Sequence, residues 1–334
     1  MNNNINKKYL KSNRSSGHIF IINADHHKKR VDKCIKELLD ISWNKARKVI
    51  ETGKISVNSK VVTSLDHTVF KDDTINYNES AQKPVDPGAF DPDCIVYMDN
   101  QLIVANKPAD ILTVPFEKGD KGTFDQQLRT YLKKIQPKNI KKRGALPSLM
   151  VVHRLDKLTS GLLVFPRTFT AKEALAIQFR EHSVKREYIA LVHGRAKTVT
   201  IRTHIMQDRG DGIRGSCETS PHPKVRKSQK GQVAITHVEL KKNFKNASLV
   251  ACRLETGRTN QIRIHMAEQK CPLIGERTYM RGFSGVRIDS LRLMLHAGEL
   301  GFEHPVTGEK MLFKVPPPDY FSKMVETLKN KSNN

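Results

Sequence analysis

Acid is what this chain has little of. Its 334 residues hold 34 Asp and Glu against 58 Lys and Arg, a formal net charge of +24. A deficit on that scale points to a polyanionic partner such as RNA, DNA or an anionic membrane. The plainer reading is lysine used only to solvate the surface. Long apolar runs are absent too. The longest, such as Ile19–Ile22 and Gly161–Phe165, fall far short of the ~20 residues that span a bilayer. A basic amphipathic helix with Trp or Phe on its apolar face is also lacking, which weakens the membrane among the three partners. Cysteine is sparse and odd in number: Cys34, Cys94, Cys217, Cys252 and Cys271, with no C-x-x-C pair. That excludes the disulfide framework of a small secreted domain. Cys217 with His222, or His265 with Cys271, has no second pair to complete a metal site at usual spacing. The N-terminus lacks the apolar core of a signal peptide, so a cytoplasmic protein is expected. Residues 1–24 contain no acid. They read as a plain tail, with an organellar transit peptide as the alternative.

What is present suffices for a core. Hydrophobic residues make up 38%, and the length suits two domains at roughly 150 residues each. Residues 1–17 are Asn, Lys and Ser with little apolar content, a tail. A strand is expected at Ile19–Ile22. Val31, Cys34, Ile35, Leu38 and Leu39 recur at helical spacing. Ser42 can cap a second helix that Gly53 ends. Short β-like pieces follow to Tyr77. Residues 79–92, "ESAQKPVDPGAFDP", carry three Pro and one Gly and read as a linker. The predicted boundaries are a tail 1–17, a module 18–80, a linker 81–92, a second domain 93–325 and a tail 326–334. In the second domain "CIVYMDNQLIVANKP" predicts two strands joined at Asp99-Asn100. Thr123 with Gln126, and Thr170 with Glu173, predict capped helices. Strands are predicted at Tyr188–Val192, Val233–Leu240 and Ser248–Glu255. The order is neither strictly alternating nor all-β, so the fold class is α+β. Gly210, Gly212 and Gly215 fit G-x-G-x-x-G, but the run continues as a polar, basic loop in which no helix is expected to start. A dinucleotide site is therefore rejected.

Two stretches carry chemistry. In Val151–Phe165, "VVHRLDKLTSGLLVF", apolar runs flank a polar island around Asp156. Basic neighbours favour its ionised form, and a carboxylate so placed can act as nucleophile or base. A lone loop Asp otherwise satisfies loop amides or pairs with Arg154. In residues 252–280 the cations Arg258, Arg263 and His265 lie beside Asn260 and Gln261, a group suited to a phosphate or a carboxylate. Residues 129–143 hold seven basic side chains and no acid, and residues 202–230 seven against three.

Together these stretches resemble the RluA family of pseudouridine synthases, ribosomal-RNA modifying enzymes. "HRLDKLTSGLL" and "RLETGRTNQIRIH" carry the likeness, with "LIVANKPA", "KREYIALVHG", "AITHVEL" and "LMLHAGELGFEHPVTGE" in agreement. The N-terminal stretches "RVDKCIKELL", "SWNKARKVIETGKISVNSKVV" and "FKDDTINY" resemble the RNA-binding module named after ribosomal protein S-four. Together the likeness covers about nine-tenths of the chain. It implies a helix-pair and strand RNA-binding module followed by a catalytic domain on a mixed, mostly antiparallel sheet. The expected activity is isomerisation of uridine in RNA, with large-subunit ribosomal RNA the leading substrate. A non-catalytic RNA-binding or ribosome-assembly factor, or the same reaction on transfer RNA, is the alternative. Asp156 is implied as the catalytic carboxylate. Arg154 is implied in the place of the extruded base, Tyr188 as the stacking face and Arg258 as the partner of Asp156. RNA contacts are expected from Lys45, Arg47, Lys48 and Lys54 in the module, and from Lys141, Lys142, Arg143 and Arg263 in the second domain. Residues 31–80 hold eight basic and eight acidic side chains, so the module would bind by clustering, not net charge. No cofactor and no metal is expected, and the protein is expected to act as a monomer. Two departures stand out: Asn260 replaces the family's His, and Asp110 replaces the Gly of "NKPAG".

Overall fold

Two helices with one apolar face each cannot bury those faces alone, and the N-terminal unit solves this with a small sheet. Helix α1 (Val31–Leu39) and helix α2 (Trp43–Glu51) pack Val31, Cys34, Ile35, Ala46, Val49 and Ile50 onto the strands. The Ser42 side chain accepts the Lys45 N–H at 3.3 Å, the cap its position predicts. Gly53, at φ +71°, follows the helix. The sheet runs β1–β4–β2–β3, formed by β1 (Gly17–Ile21), β2 (Ile55–Val57), β3 (Lys60–Val61) and β4 (Thr74–Asn78). The computed structural model describes residues 17–63, 65, 67–79, 81, 90–117, 120–136, 148–209, 211–228 and 230–333. Residues 1–16 of the expected N-terminal tail, residues 82–89 of the linker and Lys141, Lys142 and Arg143 lie outside them, while Gly17, expected in the tail, opens β1. Contacts divide the chain into Met1–Ala89 and Phe90–Asn334.

The second unit is built on one ten-stranded sheet. Its path is β10–β9–β11–β12–β8–β13–β7–β6–β5, with β14 beside β13. The strands are β5 (Ile95–Met98), β6 (Leu102–Lys107), β7 (Ser160–Pro166), β8 (Lys185–His193), β9 (Val199–Met206), β10 (Gly215–Ser216), β11 (Gln232–Asn243), β12 (Ala247–Leu254), β13 (Leu295–Glu303) and β14 (Lys310–Lys314). Only β7 and β13 pair in parallel; every other pairing is antiparallel. The α+β, mostly antiparallel fold is thus the one expected. Along β6, Ile103 and Ala105 join one core, while Leu102 and Val104 join another with Leu162 and Val164 of β7. Both faces are buried, which is why these strands read as continuous apolar runs. Where β7 and β13 meet, Gly161 has φ +122°, and a Cβ there would lie 2.3 Å from the Ala297 carbonyl oxygen. Only glycine fits.

Helices α3 (Phe124–Ile135), α4 (Phe169–Arg180), α5 (Pro223–Ser228), α6 (Gln261–Glu268) and α7 (Asp319–Asn333) complete the unit. Gln126 accepts the Thr123 N–H as the box at the start of α3 requires. Four expectations are corrected. Helix α4 starts one turn-cap earlier, because Thr168 and not Thr170 accepts the Ala171 N–H, at 3.2 Å. Phe90 and Pro92, placed in the linker from sequence, belong to the second unit, where Phe90 packs 5.5 Å from the Phe124 ring and Pro92 opens the turn Pro92–Cys94. The residues from 326 are the last turns of α7, not a tail, since Leu328 buries against Phe244 and Phe321. The polar loop after the glycine run does start a helix, the short α5. Among the described residues, no helix is long and apolar enough to cross a membrane.

Candidate active site

Asp156 sits in the loop that leads into β7, and three separate anchors hold that loop. His153 accepts the Val164 N–H at Nε2, at 3.0 Å, and stacks on Phe179 with ring centres 4.5 Å apart. Burial, aided by the Arg186 charge, pushes its pKa down to about 3, so it stays neutral and keeps that acceptor. Thr113 donates its hydroxyl to the Leu155 carbonyl at 2.8 Å and accepts the Leu155 N–H at 3.1 Å. Lys107, at the end of β6 and 0% exposed, donates to the carbonyls of Pro108, Ile111 and Lys157 at 2.8, 2.9 and 3.4 Å. The residues on both sides of Asp156 are therefore pinned by side chains from an earlier part of the chain. Burial lowers the Lys107 pKa to about 7, against the pull of Asp156 and Asp110.

Across from this loop, Asn260 caps α6. Its φ of 59° is left-handed, a conformation Asn tolerates better than most side chains. From there its backbone N–H donates to the Asp156 carboxylate. Burial raises the Asp156 pKa, and the fields of Arg263, Arg154 and Lys107 oppose it without reversing the outcome. The sequence expectation that neighbouring cations favour ionisation is corrected: desolvation outweighs them.

The three cations of the second motif do not act together as expected. Arg263, 7% exposed, grips Glu276 with Nε and Nη2 at 2.7 and 2.8 Å and reaches the Asn260 side chain with Nη1 at 2.8 Å. It is not an RNA contact. Burial opposes both charges of this pair, yet the paired bonds raise the Arg263 pKa and lower that of Glu276. His265 is buried between Thr236 and Thr203, and burial brings its pKa to about 4. Arg258 turns to β11 and donates Nε to the Val233 carbonyl at 2.9 Å. No ion pair within 4.0 Å joins it to Asp156, so that expected pairing is also corrected. Arg258 spends its Nε on Val233 and Arg263 its fork on Glu276, and Arg263 is the stronger charge at Asp156.

A cavity of about 630 Å³ opens over the carboxylate, lined by Arg154, Asp156, Arg186, Tyr188 and Arg258 among others. The structure thus brings Arg154, Tyr188 and Arg258 around Asp156. Tyr188, on β8, is 9% exposed. Burial pushes its pKa up to about 12, aided by Asp156, so it presents a neutral aromatic face. Asp110, at φ 69°, takes the left-handed position of the family's Gly and ion-pairs with Arg292. In the N-terminal unit Lys45, Arg47 and Lys48 are exposed and Lys54 is half-buried. Sequence reasoning passed over Lys107, Thr113 and Glu276. A signal for Lys107 existed: alternation along β6 puts it on the face of Ile103 and Ala105, which points into the core.

A sequence-family profile described as RNA pseudouridylate synthase matches residues 101–268. The chain is 32% identical over 312 residues to "Ribosomal large subunit pseudouridine synthase D" of Vibrio vulnificus, covering 90% of this chain and 91% of that protein. Identity to the protein of the same description in Vibrio cholerae is 33% over 313 residues, with the same coverage of each. Among solved structures, human RNA Pseudouridylate Synthase Domain Containing 4 superimposes with a TM-score of 0.56 at 22% identity, covering 70% of this chain and 92% of that one. That likeness concerns the fold.

Proposed function

The chain belongs to the RNA pseudouridylate synthase family, and from that premise we propose that Asp156 is the carboxylate that starts the isomerisation of uridine, on large-subunit ribosomal RNA. The observation that carries this reading is the half-buried Asp156 carboxylate under a cation-lined cavity. Lys107 and Thr113 fix the backbone on either side of it and the Asn260 N–H donates to it, and it is raised in pKa with no ion-pair partner of its own. The target base is inaccessible in a stack, so the nucleotide must be flipped out. Tyr188 offers it a stacking face, a contact worth about 1–3 kcal/mol. Arg154 takes the place the base leaves.

The carboxylate then works in one of two ways. It attacks the anomeric carbon, forming a C–O bond as the C–N bond breaks and its electron pair goes to the base. Or it takes the proton from the neighbouring sugar carbon as the base leaves. Either way the base turns and carbon 5 bonds to the anomeric carbon, as the C–O bond to Asp156 breaks in the first route or as the abstracted proton returns to the sugar in the second; the proton on carbon 5 is then released while the ring nitrogen gains one. Electrons and water balance within the substrate, so the reaction requires no cofactor. The substrate is read from the Vibrio relatives' names, with transfer RNA the competing choice. Lys45, Arg47, Lys48 and Lys54 are proposed to hold RNA backbone in the N-terminal unit, by clustered charge. The protein is proposed to act as a cytoplasmic monomer.

The test is tritium release from RNA labelled at uridine carbon 5. Asp156→Asn keeps shape but can neither attack nor take a proton. Turnover should fall below roughly 10⁻⁴ of wild type, with RNA affinity within a few-fold. Substantial turnover by this variant would remove Asp156 from the chemistry. Mapping pseudouridines in total RNA with and without the gene decides between ribosomal and transfer RNA.

A further inference from the structure

We propose that Arg186 is a further substrate-contacting residue of this cavity, receiving a backbone phosphate of the RNA beside the flipped uridine. The proposal rests on the uridine-isomerase reading above. Arg186 lies two residues before Tyr188 on β8, so both side chains point to the same face, about 6.6 Å apart along the strand. Both line the Asp156 cavity. Arg186 is 7% exposed. Its Nη2 donates to the carbonyls of Leu254 and Glu255 at 3.4 and 2.7 Å, and its face lies 5.5 Å from the Phe179 ring centre.

Those contacts leave it incomplete. Its Nε is buried without a hydrogen-bond partner, and among the described residues it makes no ion pair with a carboxylate. A buried charge is ordinarily paired, because desolvating it alone is expensive. Arg263, an equally buried arginine in the same unit, has Glu276; Arg186 has only neutral carbonyls. Gly257 bears on the same point. A Cβ there would lie 2.8 Å from Nη1, so the glycine of the "TGR" turn makes the room in which the guanidinium sits. The chemistry that completes such a group is an oxyanion with several acceptors, and RNA supplies one at every phosphodiester. An always-charged planar fork suits that geometry. With Tyr188 under the base, Arg186 is placed for a phosphate next to it.

The test uses the full-length protein and RNA carrying the mapped target uridine, with single-turnover rates measured over a range of salt. Arg186→Met should lower kcat/KM ten-fold or more and make its salt dependence shallower by about one phosphate contact. Arg186→Lys should restore the salt slope and only part of the rate. RNA with a neutral methylphosphonate at one linkage flanking the target should slow the wild type about as much as Arg186→Met does with natural RNA, and should slow that variant no further. A wild-type salt slope in Arg186→Met, with rate lost only in step with the melting midpoint, would make Arg186 a packing residue and overturn the proposal. If Arg186→Met does not fold, Arg186→Lys and the linkage series decide: a wild type indifferent to every flanking neutral linkage overturns it. A wild type that isomerises no uridine removes the reading beneath it, and the proposal with it.

Discussion

Arg263 faces two carboxylates, the buried Glu276 and the half-buried Asp156, and they end in opposite states. Glu276 takes both of its bonding edges and is held below the usual carboxylate range. Asp156 receives only its field, plus one backbone N–H, and burial drives it above that range. Unequal pairing separates them: one carboxylate is tied to a cation within the fold, the other is left without such a partner. A bidentate pair satisfies both charges and has no affinity left to offer. A carboxylate held by backbone and distant charge stays available.

Breaking the structural pair should have the largest effect on stability. Glu276→Gln leaves Arg263 buried with a neutral partner, a loss of about 3–5 kcal/mol for a broken buried pair. Glu276 has a lowered pKa, so its contribution is present above the unfolded value and vanishes as pH falls through the folded one. Melting midpoints of variant and wild type should therefore differ widely at pH 7 and converge in acid. A constant gap across pH would mean the pair is not the source.

Lys107→Met should come next, and it sharpens the comparison from the other carboxylate. Three carbonyls lose their donor, at about 1–3 kcal/mol, and Asp156 loses a nearby positive charge. The Asp156 pKa then rises further, so the acid limb of the pH–rate profile should move to higher pH. An unmoved limb would show that Lys107 only braces the loop.

Asp156→Asn should move stability the opposite way from Glu276→Gln. A raised acid pKa means the wild type is free of penalty below the unfolded value and loses stability as pH rises through the folded one. The Asn variant should melt higher at pH 7, by about 2–4 °C per kcal/mol released, and show no gain near pH 3. A lower midpoint at pH 7 would mean that Asp156 is stabilised by its surroundings. The smallest shift is expected from Arg258→Ala. Because Arg258 bonds to Val233, the pH limb should stay in place while affinity for RNA weakens modestly. A limb displaced upward would restore Arg258 as the partner of Asp156.

Much of this was legible beforehand. The spacing of Val31, Cys34, Ile35, Leu38 and Leu39 predicts α1, and Ser42 and Gly53 bound α2, because each signal is local in the chain. The island around Asp156 and the "KREY" run mark residues that do meet at one cavity. The C-terminal helix was missed because "MVETLKNKSNN" is too polar to announce itself; a few contacts such as Leu328 on Phe321 hold it. The paired Arg–Glu was hidden because Arg263 and Glu276 lie 13 positions apart, with no local pattern to join them.

The sequence by itself determined most of the elements and the fold class, and it singled out Asp156 as the candidate carboxylate. Periodicity, caps and contiguous motifs are properties of neighbouring residues. Tertiary structure alone decided which cation serves which anion. Asp156 and Arg263 lie about a hundred positions apart, and Arg263 gives its bonds to Glu276 and only its field to Asp156. Charge pairing and desolvation are set by distances across the fold, and no local pattern encodes them.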